Sequence, residues 1–158
     1  KGFKELVELG WIEDKMPRMV SVQSTGCAPI VRAWEGGHEF AEYWEDAETI
    51  SSGIRVPSAL GDFMILDAVR SSGGFAISVT DEQTLDIQHQ IGLSEGLLLC
   101  PEGAATVAAY RNSLESGLVS SDESVVLFNT ATGLKYPMPE VTSSIDKNDV
   151  EYSVFKTK

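Results

Sequence analysis

The sequence predicts an α/β fold, in which a mostly parallel sheet carries helices on both faces. Three observations lead to this prediction: short apolar runs without alternation, segments of helical periodicity between them, and turn residues where the two meet. Uninterrupted apolar runs are typical of parallel strands that are buried on both faces. The chain has 158 residues, 42% of them hydrophobic, which is enough to form one core.

The first third of the chain has a helix, strand, helix order. Apolar residues at helical spacing, followed by Gly10, predict a helix that ends near that glycine. A strand is predicted over residues 19–24, after Pro17 and before a Thr-Gly turn. The second helix is expected to open at Pro29, because the first turn of a helix does not need the N–H that proline lacks.

The next segments differ in polarity. Residues 36–52 are rich in Glu, Asp, Ser and Gly and contain three aromatic residues, so we expect a segment on the surface. Residues 53–57 are predicted to be a short extended piece or a turn. In residues 62–70 apolar side chains occur around most of the helical circumference, which predicts a helix buried on several sides.

A second strand and a capped helix follow. Residues 75–79 are predicted to be a strand, and Thr80 with Gln83 forms a capping-box pattern that begins the next helix. Gly96 is expected to end this helix. The apolar run 97–100 fits either a buried strand or the entry into another helix, and the sequence leaves both open.

The last predicted elements lead to a polar turn. Pro101 favours a helix start, and the Ala-rich segment from Glu102 to near Gly117 would let a neighbouring backbone approach closely. Residues 125–128 are the most strongly predicted strand of the chain. The hydroxyl-rich turn 129–133 would then lie at the carboxyl end of that strand, where open α/β sheets bind ligands.

Composition excludes several classes of function. With 24 acidic and 12 basic side chains the formal net charge is -12, which disfavours binding to nucleic acid or anionic membranes. The sequence has neither an apolar run of membrane-spanning length nor a signal-peptide pattern, so we expect a cytoplasmic protein. The two cysteines and two histidines lack ligand spacing, and no metal site is predicted: Cys27, Cys100, His38 and His89.

Most of the common catalytic and nucleotide-binding motifs are missing from the sequence. The sequence contains no nucleotide-binding glycine loop, no Gly-x-Ser-x-Gly nucleophile motif and no His-Glu-x-x-His zinc motif. Paired carboxylates lie in polar stretches and are interpreted as solvated surface charge. The segment around Glu102 and the turn 129–133 remain as candidates for chemistry.

Five segments occur in an order that identifies a resemblance. They are residues 19–31 with Gly26-Cys27-Ala28-Pro29-Ile30, Gly53-Ile54-Arg55-Val56-Pro57, Ala59-Leu60-Gly61-Asp62, Cys100-Pro101-Glu102-Gly103-Ala104-Ala105, and residues 127–136 with Asn129-Thr130-Ala131-Thr132-Gly133-Leu134-Lys135. Together they resemble the carboxyl-terminal half of the threonine synthase family, pyridoxal-phosphate enzymes of fold type II. The resemblance implies that residues 1–136 are the carboxyl-terminal part of a catalytic domain and residues 137–158 an extension.

This resemblance implies a reaction, a cofactor and a set of site residues. The family converts O-phospho-L-homoserine and water to L-threonine and phosphate with pyridoxal 5'-phosphate. Thr130 matches the hydroxyl that faces the pyridine nitrogen; the alternative is a hydroxyl that caps its own turn. Glu102 matches a glutamate near the cofactor pocket, or serves only the helix N-terminus. Arg55 would recognise an anionic substrate group, or pair with the acidic residues 39–48.

The family's Schiff-base lysine and glycine-rich phosphate loop are not found in this sequence, and Lys135 does not match that lysine. The catalytic residues therefore stay unidentified, and we expect these 158 residues to be inactive alone and to belong to a longer enzyme. The family resemblance implies a homodimer. Threonine dehydratase, cysteate synthase, another fold type II enzyme, or a non-catalytic half-fold interaction module are the alternatives.

Overall fold

The computed structural model describes residues 1–137 and residue 148. Its elements along the chain are α1 (Gly2–Glu8), β1 (Val20–Ser24), α2 (Pro29–Glu35), a 3-10 turn (Ser52–Ile54), α3 (Asp62–Ser71), β2 (Phe75–Val79), α4 (Asp81–Glu95), α5 (Pro101–Glu115) and a second 3-10 turn (Gly133–Lys135). The predicted extension over residues 137–158 lies outside the described residues, apart from residues 137 and 148.

The two strands pair in parallel, with Val20 opposite Phe75 and Ser24 opposite Val79. Successive side chains of a strand point to opposite faces of the sheet. Ala76 packs in a core formed with α2 and α3, whereas Val79 packs in a core formed with α4 and α5. The predicted α/β class, a parallel sheet with helices on both faces, is confirmed.

Small residues let α5 lie close to its neighbours. Ala104, Ala105, Ala108 and Ala109 are all buried, in one cluster with Ile87 of α4 and with Val79. A row of alanines keeps the helix surface low, so that another backbone can approach. The predicted Ala-rich packing helix is therefore present.

Capping and turn residues set the predicted ends of α4 and the start of α2. Thr80 Oγ1 accepts a hydrogen bond from the Gln83 backbone N–H at 3.1 Å, and Gln83 Oε1 accepts one from the Thr80 N–H at 3.0 Å. Gly96 follows α4 with a φ of +67°, a conformation that favours glycine. Pro29 opens α2, whose next two N–H groups donate to the side chain of Gln23.

The strand predicted over residues 125–128 is wrong. This segment has no strand structure, and its Val126 and Phe128 side chains are 80% and 73% exposed. β propensity describes how well side chains fit a pleated, half-buried surface, and a strand also needs a partner for its N–H and C=O groups. No segment within the described residues pairs with it.

Burial of α3 on several sides is also wrong. Leu66 and Val69 are buried, but Phe63, Met64 and Ile65 are exposed by 37% or more. Within the described part of the chain α3 packs against α2 and the sheet, and Phe40 of the surface segment lies against Phe63. The apolar residues of the other faces remain in contact with solvent.

The remaining expectations are met in part. Residues 36–52 form mainly exposed irregular structure, although Thr49 and Ser51 near its end are buried. Residues 97–100 combine the two alternatives of a strand and a helix entry. Leu99 forms a single antiparallel bridge with Thr132, and Cys100 caps α5. Among the helices described, none is long and apolar enough to cross a bilayer.

Candidate functional site

The turn 129–133 lies against the N-terminus of α5. Gly103 leaves the space that this contact needs, because a Cβ atom there would overlap Asn129 Oδ1. The Cys100 thiol donates to the same Asn129 oxygen, with 3.4 Å between sulfur and oxygen. Since Cys100 also accepts from the Gly103 N–H, the start of the turn is fixed to the first turn of the helix.

The other end of the turn is fixed to the run that precedes α5. Thr132 bridges to Leu99, and the Gly133 N–H donates to the Leu98 carbonyl at 2.9 Å. A Cβ atom on Gly133 would lie 2.7 Å from the Leu99 carbonyl oxygen. Side-chain contacts of Asn129 therefore hold one end and backbone contacts hold the other, and the turn has little freedom to move as a whole.

Thr130 and Thr132 have different surroundings within this turn. Thr132 Oγ1 accepts a hydrogen bond from the Leu134 N–H at 3.3 Å, so Thr132 is the hydroxyl that caps the turn. Thr130 is exposed, and its hydroxyl has no hydrogen-bond partner among the described residues. It borders a cavity of ≈ 370 Å³ lined by residues 96–99 and 129–132. A ligand in this cavity could use the Thr130 hydroxyl as donor or acceptor.

Glu102 lies one residue before Gly103 and is only 9% exposed. Its Oε1 accepts a hydrogen bond from the Gly53 N–H at 2.7 Å. A Cβ atom at position 53 would lie 2.8 Å from the same oxygen, so a larger residue there would have to displace the carboxylate or the turn. Glu102 Oε2 is buried and has no partner of full hydrogen-bond geometry among the described residues.

Tyr136 acts on this carboxylate. Burial raises the pKa of Glu102, but the Tyr136 hydroxyl and the Glu102 and Gly53 backbone N–H groups outweigh it, so that the pKa is below its ordinary value of 4.5. The pKa of Tyr136 is correspondingly raised, chiefly because its hydroxyl donates toward Glu102. The pair therefore favours an ionised carboxylate beside a neutral phenol, even though Oε2 lacks a closely aligned donor.

Arg55 is exposed and follows the 3-10 turn that contains Gly53. No ion pair joins Arg55 to residues 39–48 in the described part of the chain. That segment is contacted instead by Arg32, which donates to two of its carbonyls and lies 4.8 Å from the Trp44 ring centroid. The Arg55 guanidinium remains available to an anion.

Two further residues have roles that the sequence did not indicate. The Asp81 carboxylate accepts from Thr49 Oγ1 at 2.5 Å, from the Ile50 N–H at 2.9 Å and from Ser24 Oγ at 3.1 Å, which ties the loop before the 3-10 turn to the sheet. Tyr136 was part of a matched segment but had no assigned role. Its contact with Glu102 joins residues 34 positions apart, and no local pattern could have predicted it.

The residues present fit one side of a pyridoxal-phosphate site. Thr130 offers a hydroxyl with no other partner among the described residues, which suits a neutral ring nitrogen. Two buried polar atoms lack a hydrogen-bond partner among the described residues: Glu102 Oε2 of α5 and the hydroxyl of Ser51, which directly precedes the 3-10 turn. Within residues 1–137 no three His, Cys, Asp or Glu side chains come together as a metal site would require.

Comparison with known proteins gives related enzymes over almost the whole chain. The chain is 34% identical to the threonine synthase of Methanocaldococcus jannaschii, over 96% of its own length and 37% of that protein. It is 39% identical to the threonine synthase of Methanosarcina acetivorans over 87% of this chain and 34% of that protein. The cysteate synthase of Methanothrix thermoacetophila is 30% identical over 82% of this chain and 33% of its own length.

The crystal structure of a threonine deaminase from T.th. is 23% identical to the chain. It superimposes on 63% of this chain, and on 34% of its own, with a TM-score of 0.49. The chain spans about a third of the length of the curated relatives named above. A family model described as pyridoxal-phosphate dependent enzyme matches residues 1–131, and the chain belongs to that family.

Proposed function

We propose that the protein containing this chain is a threonine synthase, which converts O-phospho-L-homoserine and water to L-threonine and phosphate. The observation that carries the proposal is the similarity to two threonine synthases at 34% and 39% identity over most of the chain. We further propose that the whole enzyme is a cytoplasmic homodimer.

In this proposal Thr130 contacts the cofactor. The cofactor supplies the electron sink for elimination of the phosphate and for rehydration of the unsaturated product. The Thr130 hydroxyl would face the pyridine nitrogen from the rigid turn 129–133. Its exposure and its lack of another hydrogen-bond partner within the described chain support this role. A neutral hydroxyl does not hold a proton on that nitrogen as a carboxylate would, so the ring would stay neutral.

Arg55 is the proposed contact for the anionic substrate. A planar guanidinium can donate two parallel hydrogen bonds to a phosphate or carboxylate. Its exposure, and the absence of an ion pair with the acidic segment in the part of the chain that is described, support this assignment. The neighbouring Gly53 is held by Glu102, so the arginine extends from a fixed turn.

A second candidate has one specific observation in its favour. The 30% identity to a cysteate synthase supports a second candidate, in which the whole protein forms cysteate instead of threonine. Threonine dehydratase, the alternative suggested by the resemblance, would consume free threonine. The candidates differ in substrate and product, so one set of assays can separate them.

The test is an assay of the full-length gene product with O-phospho-L-homoserine, O-phosphoserine plus sulfite, and free threonine. Threonine synthase should release phosphate and threonine in equal amounts from the first substrate only. Cysteate formed from the second, or 2-oxobutyrate formed from the third, would overturn the proposal in favour of the corresponding alternative. Loss of activity in Arg55→Ala through a higher KM for the phosphorylated substrate would support the anion contact.

A further inference from the structure

We infer that Glu102 is a positioning residue that couples the 3-10 turn Ser52–Ile54 to the segment 129–136, and so sets Arg55 and Thr130 relative to each other. The consequence for ligands rests on the proposed function, because Arg55 and Thr130 are its proposed contacts. The coupling itself is a property of the protein without ligands. Glu102 is buried and does not line the cavity beside Thr130, so it would act through its neighbours.

On one side, Glu102 holds the 3-10 turn. The 2.7 Å hydrogen bond from the Gly53 N–H ends on a carboxylate oxygen, and bonds to charged acceptors are stronger than those to neutral ones. The turn is tight, because Ile54 N–H donates to Ser51 and Arg55 N–H donates to Ser52. Arg55 is therefore two residues from the hydrogen-bonded amide of Gly53, so this hydrogen bond restrains the position of the Arg55 backbone.

On the other side, Glu102 faces Tyr136. The Tyr136 hydroxyl lies beside the Glu102 carboxylate without a closely aligned hydrogen bond, and the Tyr136 backbone N–H donates to the Gly133 carbonyl at 3.0 Å. Gly133 in turn is bonded to Leu98 at the end of the turn that contains Thr130. Hydrogen bonds thus join Gly53 to Glu102 on one side and Tyr136 to the turn 129–133 on the other, with the Tyr136 hydroxyl beside the carboxylate between them.

Two further contacts close this path. The Ser52 hydroxyl also faces Tyr136, so the 3-10 turn meets the tyrosine as well as the glutamate. At the opposite end of the turn 129–133, Asn129 is in contact with Cys100 and Gly103, the residues on either side of Pro101 and Glu102. A shift of Glu102 would therefore change both of the segments that bear the proposed ligand contacts.

The test measures amide hydrogen exchange of the full-length gene product in the absence of cofactor and substrate. Glu102→Gln should speed exchange about tenfold at the Gly53 amide and at the amides of residues 133–136, as expected for loss of a charge-assisted hydrogen bond. Tyr136→Phe should speed exchange at Gly53 too, although Tyr136 does not bond to that amide. Glu115→Gln is the matched control, since Glu115 is exposed on the same helix.

Two results would overturn the coupling. One is a Tyr136→Phe variant in which Gly53 exchanges as in the unmodified protein. The other is a similar increase of the exchange rate at all amides in every variant, including the amides of α4, because that would reflect only lost global stability. A variant that combines Glu102→Gln with Tyr136→Phe should exchange its Gly53 amide no faster than Glu102→Gln alone. If the two substitutions increased the exchange rate additively, that would count against a shared path.

A kinetic measurement connects the coupling to the ligands. Glu102→Gln should weaken cofactor binding and raise KM for the phosphorylated substrate together, whereas Thr130→Val should affect mainly the cofactor. A change in only one of the two quantities, cofactor affinity or KM, in Glu102→Gln would contradict the inference. If the unmodified protein does not act on O-phospho-L-homoserine, the proposed function fails, while the exchange result stands or falls by itself.

Discussion

Thr130 and Thr132 have the same side chain and lie two residues apart, yet the fold gives them different tasks. Thr132 caps the 3-10 turn Gly133–Lys135, while the Thr130 hydroxyl is left without a partner among the described residues. An exposed hydroxyl that makes no internal hydrogen bond contributes little to folding. The turn therefore separates a residue kept for stability from one available for binding.

This separation gives a prediction for stability. Thr132→Val removes a turn-capping hydrogen bond and should lower the free energy of unfolding by about 0.5–1.5 kcal/mol. Thr130→Val should change it by less than about 0.5 kcal/mol, because the exposed hydroxyl has no described partner to lose. Urea unfolding of both variants would check this, and a larger loss for Thr130→Val would contradict it.

The Glu102 and Tyr136 pair predicts a pH dependence. Because the folded-state pKa of Glu102 is below 4.5, its ionised carboxylate stabilises the fold above that pH, and the contribution is lost as pH falls through the lower folded pKa. The pKa of Tyr136 is raised above 10.0, so its contribution is present below pH 10.0 and lost as pH rises through the higher folded value. The stability difference between the unmodified protein and Glu102→Gln should therefore shrink in acid.

Unfolding midpoints measured from about pH 6 to about pH 3 would follow this difference. Glu115→Gln, on the exposed side of the same helix, should show no such pH-dependent difference. A constant gap between the unmodified protein and Glu102→Gln over the whole range would contradict the role given to the carboxylate.

Two glycines in different elements predict opposite effects of one substitution. Gly53→Ala would place a Cβ atom 2.8 Å from Glu102 Oε1 in the tight turn, and should destabilise the protein by about 1–3 kcal/mol. Gly92→Ala meets nothing closer than 4.0 Å inside α4, and should stabilise it by about 0.5–1 kcal/mol through higher helix propensity. Thermal unfolding of the two variants measures both, and equal effects would contradict the packing described.

Individual elements show what the sequence could and could not predict. The boundaries of α4 followed from Thr80, Gln83 and Gly96, because capping depends on residues within a few positions of one another. Residues 125–128 have a similarly clear pattern but form no strand. Helices satisfy their own backbone hydrogen bonds, whereas a strand depends on a distant partner that local sequence does not reveal.

At the scale of the whole molecule, the candidate site joins parts of the chain that are far apart in sequence. Gly53 and Glu102 are 49 residues apart and make a direct hydrogen bond. The family resemblance named Thr130 and Glu102, and the chemistry of the guanidinium group named Arg55, each with an alternative. The alternatives could be compared only once the fold had placed Thr132, Tyr136 and the acidic segment around them.

The proposed contact between Thr130, held on the turn 129–133, and the cofactor is measured directly by the pyridoxal-phosphate dissociation constant of the full-length gene product and its variants. Thr130→Val should raise it about 3- to 10-fold through loss of one neutral hydrogen bond, and Thr130→Ser, which keeps the hydroxyl, should stay close to the unmodified value. Equal affinity in Thr130→Val and the unmodified protein would contradict the claim.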